Sequence, residues 1–310
     1  MKKNAKIFVA GGQSGLVGTA IVRSLKTQGF TNIIVRTRKQ LDLLDQRQVD
    51  LFFQKEKPEY VFLAAALVGG IMANKIRKAD FIYNNLLIQN NVIHSSWKYE
   101  VKKLLFLGSS CIYPKLAPQP IKESSFMTGP LEETNDAYAV AKIAGIKMCQ
   151  SYNEQYKTNF VSVMPTNLYG PNDNFDLQSA HVLPAFIRRF HEAKKANKKE
   201  IVLWGSGNAY RELLYVDDMA SACVFLMNNY SSSEIINIGT GKDLKIRELA
   251  QIVKKIVGYS GKIVWDTSKP DGTPKKQLDV SKLFRLGWQP KIGLEEGIKK
   301  EYEWFLENIK

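Results

Sequence analysis

Short apolar runs recur through the first half of the chain, separated by longer stretches whose apolar positions repeat with a helical period. The runs 6–10, 32–36, 60–64, 103–107 and 160–164 predict strands, and the stretches 16–28, 46–56, 75–97 and 138–156 predict helices between them. Strands that are apolar throughout suit a parallel sheet covered on both faces. Strand–helix alternation with right-handed crossovers then gives an α/β fold, a Rossmann-like doubly wound parallel sheet.

Past Pro171 the rhythm loosens. A helix is expected over 180–196, then a strand at 201–203, the turn Gly205-Ser206-Gly207 and a strand at 213–216. A helix over 217–229, a strand at 235–238, loops with short helices and an amphipathic helix over 294–308 complete the chain. The expected organisation is a cofactor-binding Rossmann domain over 1–170, with a returning segment at about 212–240, and a smaller C-terminal α/β substrate-binding lobe over 171–310. No Pro/Gly/Ser linker separates the two, so they are expected to pack closely.

At 310 residues, 45% hydrophobic and 24% charged, the chain has globular proportions, which excludes wholesale disorder. No apolar run approaches the ~18 residues of a membrane span, and Met1-Lys2-Lys3 leads straight into a strand pattern, unlike a signal peptide. Cys111, Cys149 and Cys223 are too few and scattered for a disulfide scaffold or a zinc site. The expectation is a cytoplasmic protein without a metal. The net charge of +14 is spread over helical patterns without forming an arm, so neither nucleic acid nor a membrane is expected as a partner.

The first strand runs into Gly11-Gly12-Gln13-Ser14-Gly15-Leu16-Val17-Gly18 and a helix. Glycines at 12, 15 and 18 allow a tight turn, approach to a pyrophosphate and close helix packing, while the helix N-terminus attracts the anion. A glycine triplet alone is a weak signal. Its position between first strand and first helix makes it a dinucleotide site. NAD-binding folds carry an acidic residue about 20 residues further on for the ribose 2′-hydroxyl. Here the first acidic residue is Asp42, and the second strand ends at Arg36 and Arg38. Guanidinium groups suit a 2′-phosphate, which points to NADP(H).

Tyr138 and Lys142 lie four apart at the start of a helix, on one face. A nearby ammonium is expected to lower the tyrosine pKa, so that its phenol exchanges protons with a carbonyl oxygen. Tyr99 and Lys103 share the spacing but straddle a loop and a strand, where they do not face each other. Gly108-Ser109-Ser110-Cys111-Ile112-Tyr113-Pro114 follows a strand at the sheet edge where such folds place their chemistry. Ser109 can share the carbonyl oxygen with Tyr138. Cys111 is either a small packed hydrophobe or a proton carrier.

With Pro165-Thr166-Asn167-Leu168-Tyr169-Gly170-Pro171, these motifs resemble the extended short-chain dehydrogenase/reductases that act on nucleotide sugars. Further stretches narrow the resemblance to the family of bifunctional 3,5-epimerase/4-reductases that make GDP-L-fucose from GDP-4-keto-6-deoxy-mannose. They are Val68-Gly69-Gly70-Ile71, Asp173-Asn174-Phe175, His181-Val182-Leu183-Pro184 through Arg189-Phe190-His191, Trp204-Gly205-Ser206-Gly207 and Lys269-Pro270-Asp271-Gly272-Thr273. The resemblance implies reductase roles for Ser109, Tyr138 and Lys142, and an acid–base pair for epimerisation in Cys111 and His181. It implies NADP(H) contacts at Gly12, Ser14, Gly15, Leu16, Val17, Gly18, Arg36, Arg38, Asp42 and Leu43. Lys142, Pro165, Asn167, Leu168 and His181 complete that set. Substrate contacts are implied at Arg189, Trp204, Arg211, Asp271 and Lys276, and a homodimer through the helices 75–97 and 138–156. One departure stands in the phosphate loop, where Gln13-Ser14 replaces a basic pair common in bacterial members.

A C4 ketone acidifies C3–H and C5–H, and inverting either centre takes a base on one face and an acid on the other. A thiol and an imidazole both exchange protons near neutral pH. Of the other histidines, His94 is expected to be packed and His191 to be a surface residue. Trp204 is either a substrate platform or core. Two alternatives stay open: a C4-reductase of a related GDP-4-keto-6-deoxy sugar such as a heptose, and a non-catalytic NADP-binding scaffold, against which Tyr138 and Lys142 argue.

Overall fold

A computed structural model describes residues 1–269, Asp271 and residues 273–309; Pro270 and Gly272 of the 269–273 motif lie outside the described residues. The chain begins β1 (Ile7–Ala10), α1 (Leu16–Thr27), β2 (Ile33–Ile34), α2 (Gln46–Glu56) and β3 (Tyr60–Leu63). It continues with α3 (Ile71–Ile76), α4 (Lys78–Lys98), β4 (Lys103–Leu107), α5 (Asp136–Tyr156), β5 (Phe160–Pro165) and β6 (Asn167–Tyr169). Then come α6 (Val182–Lys195), β7 (Glu200–Trp204), β8 (Tyr210–Tyr215), α7 (Val216–Asn229) and β9 (Ile236–Ile238). The remainder is β10 (Asp243–Lys245), α8 (Ile246–Val257), β11 (Lys262–Asp266), β12 (Lys275–Lys276), α9 (Ser281–Arg285) and α10 (Leu294–Asn308).

Six strands form one parallel sheet in the order β2-β1-β3-β4-β5-β9. Every residue of β1, β4 and β5 is buried, as the unbroken apolar runs require. On one face Ile21 and Leu25 of α1 meet Met219 and Val224 of α7. On the other, Phe53, Val92 and Ile146 come from α2, α4 and α5. Each such side chain contributes roughly 1.5–3 kcal/mol by leaving water. Successive strands leave β1 toward opposite sides, to β2 and to β3, so the loops after β1 and β3 diverge and open a crevice at the carboxyl edge.

A third core is built by Phe186 and Phe190 of α6, Leu249 and Val253 of α8 and Phe305 of α10. Beside it β8 pairs antiparallel with β10 and parallel with β12 and β6, and β7 pairs with β11. Three differences from the sequence pattern stand out. The helix expected over 75–97 is two helices, because Arg77 (φ −113°, ψ 37°) leaves helical geometry and turns the axis. Strands β10 and β12 carry no apolar run and exist through their pairing with β8. The strand expected at 213–216 starts earlier, at Tyr210. Among the described residues no helix is long and apolar enough to cross a membrane.

Candidate active site

The loop between β1 and α1 turns through Gly11 and Gly15, both at positive φ (86° and 80°). Among the described residues no side chain caps α1, so its first N–H groups and positive dipole end are open to an anion. A Cβ at Gly18 would lie 2.0 Å from the Gly11 carbonyl oxygen, which makes glycine obligatory for this contact. Gly12 departs from its expected role. It faces inward against Val9 and Val35, and Gly11 borders the cleft in its place.

That cleft, about 880 Å³, runs along the carboxyl edge of the sheet. Ser14, Gly15, Leu16, Val17 and Gly18 border one end, with Arg36, Arg38, Asp42 and Leu43 beside them. Arg36 is not a free cation: it lies 2.7 Å from the Glu56 carboxylate, donates 2.9 Å to the Val35 carbonyl oxygen and covers the Phe52 ring. Arg38 is 77% exposed and pairs loosely with Asp42 at 3.5 Å. Of the two, Arg38 has more charge to offer a phosphate. Pro165, Asn167 and Leu168 line the cleft further in.

The other end brings Ser109, Cys111, Tyr138, Lys142, His181 and Lys276 to one cavity. Chain turns set each of them. Ser109 starts a tight turn after β4, and its Oγ accepts the Cys111 N–H at 3.3 Å. Tyr138 and Lys142 share a face of α5, and Lys142 Nζ donates to the Leu107 carbonyl oxygen at 2.8 Å. His181 stands at the N-terminus of α6. Lys276 enters on β12, in register with Arg211 on β8.

The expected lowering of the Tyr138 pKa is not what the structure gives. Burial raises it, the neighbouring Cys111 adds to the rise, and Lys142 aims its ammonium at a backbone carbonyl instead. Burial also brings the Lys142 ammonium down to about 8, against a smaller upward pull from Cys111. The phenol therefore stays protonated and suits a proton donor. Burial pushes the Cys111 thiol up, while Lys276 beside it pulls down. His181 opens onto the cleft, yet crowding by protein and the Lys276 charge hold its imidazole below the usual value. Burial lowers Lys276 itself, opposed by Cys111.

Glu212, invisible as a motif, fixes this strand. It is fully buried on β8, and its oxygens accept the N–H groups of Thr240 (2.6 Å), Gly241 (2.8 Å) and Leu278 (2.7 Å). Asn135 was also missed, because an Asn before a helix reads as a cap. Among the described residues it makes no capping bond, and its Oδ1, buried beside the cleft, has no hydrogen-bond partner there.

Arg189, Trp204, Arg211 and Asp271 do not border this cleft; of the expected substrate contacts only Lys276 does. They gather among themselves instead. Arg189 and Lys269 flank the Trp204 ring at 5.8 and 5.9 Å. Asp271 accepts from Ser206 N and Oγ, both at 2.6 Å, and Arg211 donates to the Thr273 carbonyl oxygen at 2.6 Å. Trp204 is 53% exposed, so it is not core. Arg188 bonds Glu192 and the Phe175 carbonyl oxygen, so of the two adjacent arginines it is Arg189 that faces the tryptophan. His94 is packed among Trp97 and Tyr152 as expected. His191 is less exposed than expected, its Nδ1 3.1 Å from the Tyr302 hydroxyl.

Residues 7–239 match the model of the NAD dependent epimerase/dehydratase family. The chain is 59% identical over 307 residues to GDP-L-fucose synthase 1 of Arabidopsis thaliana, covering 99% of this chain and 95% of that protein. It is 54% identical over 312 residues to GDP-L-fucose synthase of Escherichia coli K12, covering 98% and 97%. A solved GDP-mannoheptose C4 reductase from Campylobacter jejuni with NADP bound superposes with a TM-score of 0.91 at 45% identity, covering 99% of both chains.

Proposed function

The chain belongs to the NAD dependent epimerase/dehydratase family, and from that premise we propose that it is an NADPH-dependent 3,5-epimerase/4-reductase converting GDP-4-keto-6-deoxy-mannose to GDP-L-fucose. The carrying observation is that the serine–tyrosine–lysine set and the thiol–imidazole pair open onto one cavity that also reaches the phosphate loop.

The uncapped α1 terminus, the glycine contacts and Arg38 fit a dinucleotide with a 2′-phosphate. When bound, NADPH supplies the hydride that reduces C4. The chain's own groups do the rest. Ser109 and Tyr138 hold the C4 oxygen, which steadies the enolate formed when C3–H or C5–H is lost. Cys111 and His181 carry those protons off and back on opposite faces. Tyr138, kept protonated by burial, delivers its proton to the C4 oxygen at reduction. Lys276 favours the deprotonated form of both thiol and imidazole.

The cofactor domain is assigned to 1–170 with a return at about 212–240, supported by β9 joining the main sheet. The substrate domain is assigned to 171–310, with Arg189, Trp204, Arg211, Asp271 and Lys276 as its substrate contacts. A homodimer through α4 and α5 is supported by the exposed apolar Tyr83 and Val140 on those helices. A cytoplasmic location fits Cys111 as a free thiol.

NADPH oxidation with GDP-4-keto-6-deoxy-mannose, followed by NMR of the product, tests this reading. GDP-L-fucose is expected. A sugar reduced at C4 with C3 and C5 unchanged would refute it and favour the heptose-reductase class, to which the Campylobacter structure belongs.

A further inference from the structure

The turn Val68-Gly69-Gly70-Ile71 has no task in the chemistry above, yet it touches both halves of the site. Gly70 donates its N–H to the Ser179 carbonyl oxygen at 2.9 Å, two residues before His181. The approach leaves no room for a side chain: a Cβ on Gly70 would stand 2.8 Å from the Ala180 carbonyl oxygen and 3.2 Å from that of Ser179. Its φ of −66° is open to any residue, so close approach, not backbone freedom, requires glycine.

The turn is itself held from below. Asn74, 7% exposed, donates through Nδ2 to the carbonyl oxygens of Gly69 (2.7 Å) and Gly70 (3.1 Å). A Cβ on Gly69 would meet the Phe81 ring at 3.2 Å, and that ring stands edge-on to Tyr138 with centroids 6.2 Å apart. The segment 176–180 carries its own bonds, from Ser179 N–H and Ala180 N–H to the Asp176 carbonyl oxygen (3.1 and 2.7 Å). It therefore moves as a unit with His181 when pushed.

We infer that Gly70 is a positioning residue for His181: the 69–70 turn, braced by Asn74 and Phe81, sets the distance between the imidazole and the oxygen held by Tyr138. This rests on the proposed acid–base role of His181. Any bulk at position 70 displaces backbone, which cannot swing aside as a side-chain tip does. Epimerisation depends on that placement, and hydride transfer at C4 does not.

The test compares Gly70→Ala, Asn74→Ala and His181→Asn with the wild type. Two half-reactions are read separately: deuterium entry into GDP-4-keto-6-deoxy-mannose from deuterated water, and oxidation of GDP-L-fucose by NADP⁺. Gly70→Ala is expected to slow exchange by about tenfold or more while kcat for the oxidation and the Kd for NADPH stay within about threefold. Asn74→Ala, which loosens the turn without adding bulk, should show the same split more weakly. Exchange lost in His181→Asn but intact in Gly70→Ala and Asn74→Ala overturns the positioning role alone. Exchange surviving in His181→Asn overturns the acid–base reading and this inference with it. Equal losses in both half-reactions, or a fall in thermal stability without a split, overturn it as well.

Discussion

Lys142 stands one helical turn after Tyr138, its Nζ 5.8 Å from the tyrosine ring centre and bonded at 2.8 Å to the Leu107 carbonyl oxygen. The pair is thus tied to the end of β4, the strand that also delivers Ser109 and Cys111. Burial keeps this phenol protonated, and in the proposed reaction it gives that proton to the substrate oxygen.

Tyr138→Phe removes that proton. Reduction at C4 is expected to fall by about 10²–10⁴-fold, with NADPH affinity changed less than about twofold. Stopped-flow NADPH oxidation and fluorescence titration measure the two. Normal turnover would take Tyr138 out of the chemistry.

Arg36 and Arg38 looked equivalent in sequence, but Arg36 spends its charge on Glu56. Arg38→Ala is expected to cut the preference for NADPH over NADH by about tenfold. Arg36→Ala should cut it less and lower the melting temperature as well. Steady-state kinetics with both cofactors decide, and a ratio unchanged in Arg38→Ala contradicts the assignment.

Asp173 and fully buried Glu301 form an acidic pair between the 170–174 loop and α10. Burial pushes Asp173 up to about 7, and burial with the Asp173 charge raises Glu301 well above the carboxylate range. Tyr169 and Tyr215 pack nearby, and Asp218 and Glu296 add only negative charge. Because the folded pKa values are raised, the folded state binds more protons than the unfolded chain. Stability is full at the acid end of this window and falls as pH rises from about 4 through 7. Glu301→Gln can donate to Asp173 and should narrow the melting-temperature difference between pH 5 and pH 8 by about 2–4 °C. An unchanged difference in scanning calorimetry contradicts the pair.

Where burial patterns decide the structure, the sequence was readable. Four of the five expected apolar strands, the glycine loop, Tyr138 and Lys142 stand where they were expected, because periodicity reports which side chains leave water, while the strand expected over 32–36 shortens to Ile33–Ile34 at the sheet edge. Charge pairing was not readable. Nothing near Arg36 in the chain points to Glu56, and the Lys275–Lys276 strand has no pattern of its own. The proton preference of Tyr138 is hidden from the sequence for the same reason: burial, a property of the whole fold, outweighs the neighbouring lysine.

Proton exchange without cofactor is the sharpest measurement of the central claim, that one cavity both epimerises and reduces. Wild-type protein in deuterated water with GDP-4-keto-6-deoxy-mannose and no NADPH should place label at C3 and C5. Cys111→Ser should slow that entry by about 10²-fold while oxidising GDP-L-fucose with NADP⁺ nearly as fast as the wild type. An unlabelled sugar from the wild type, or equal loss of both activities in the variant, would contradict the account.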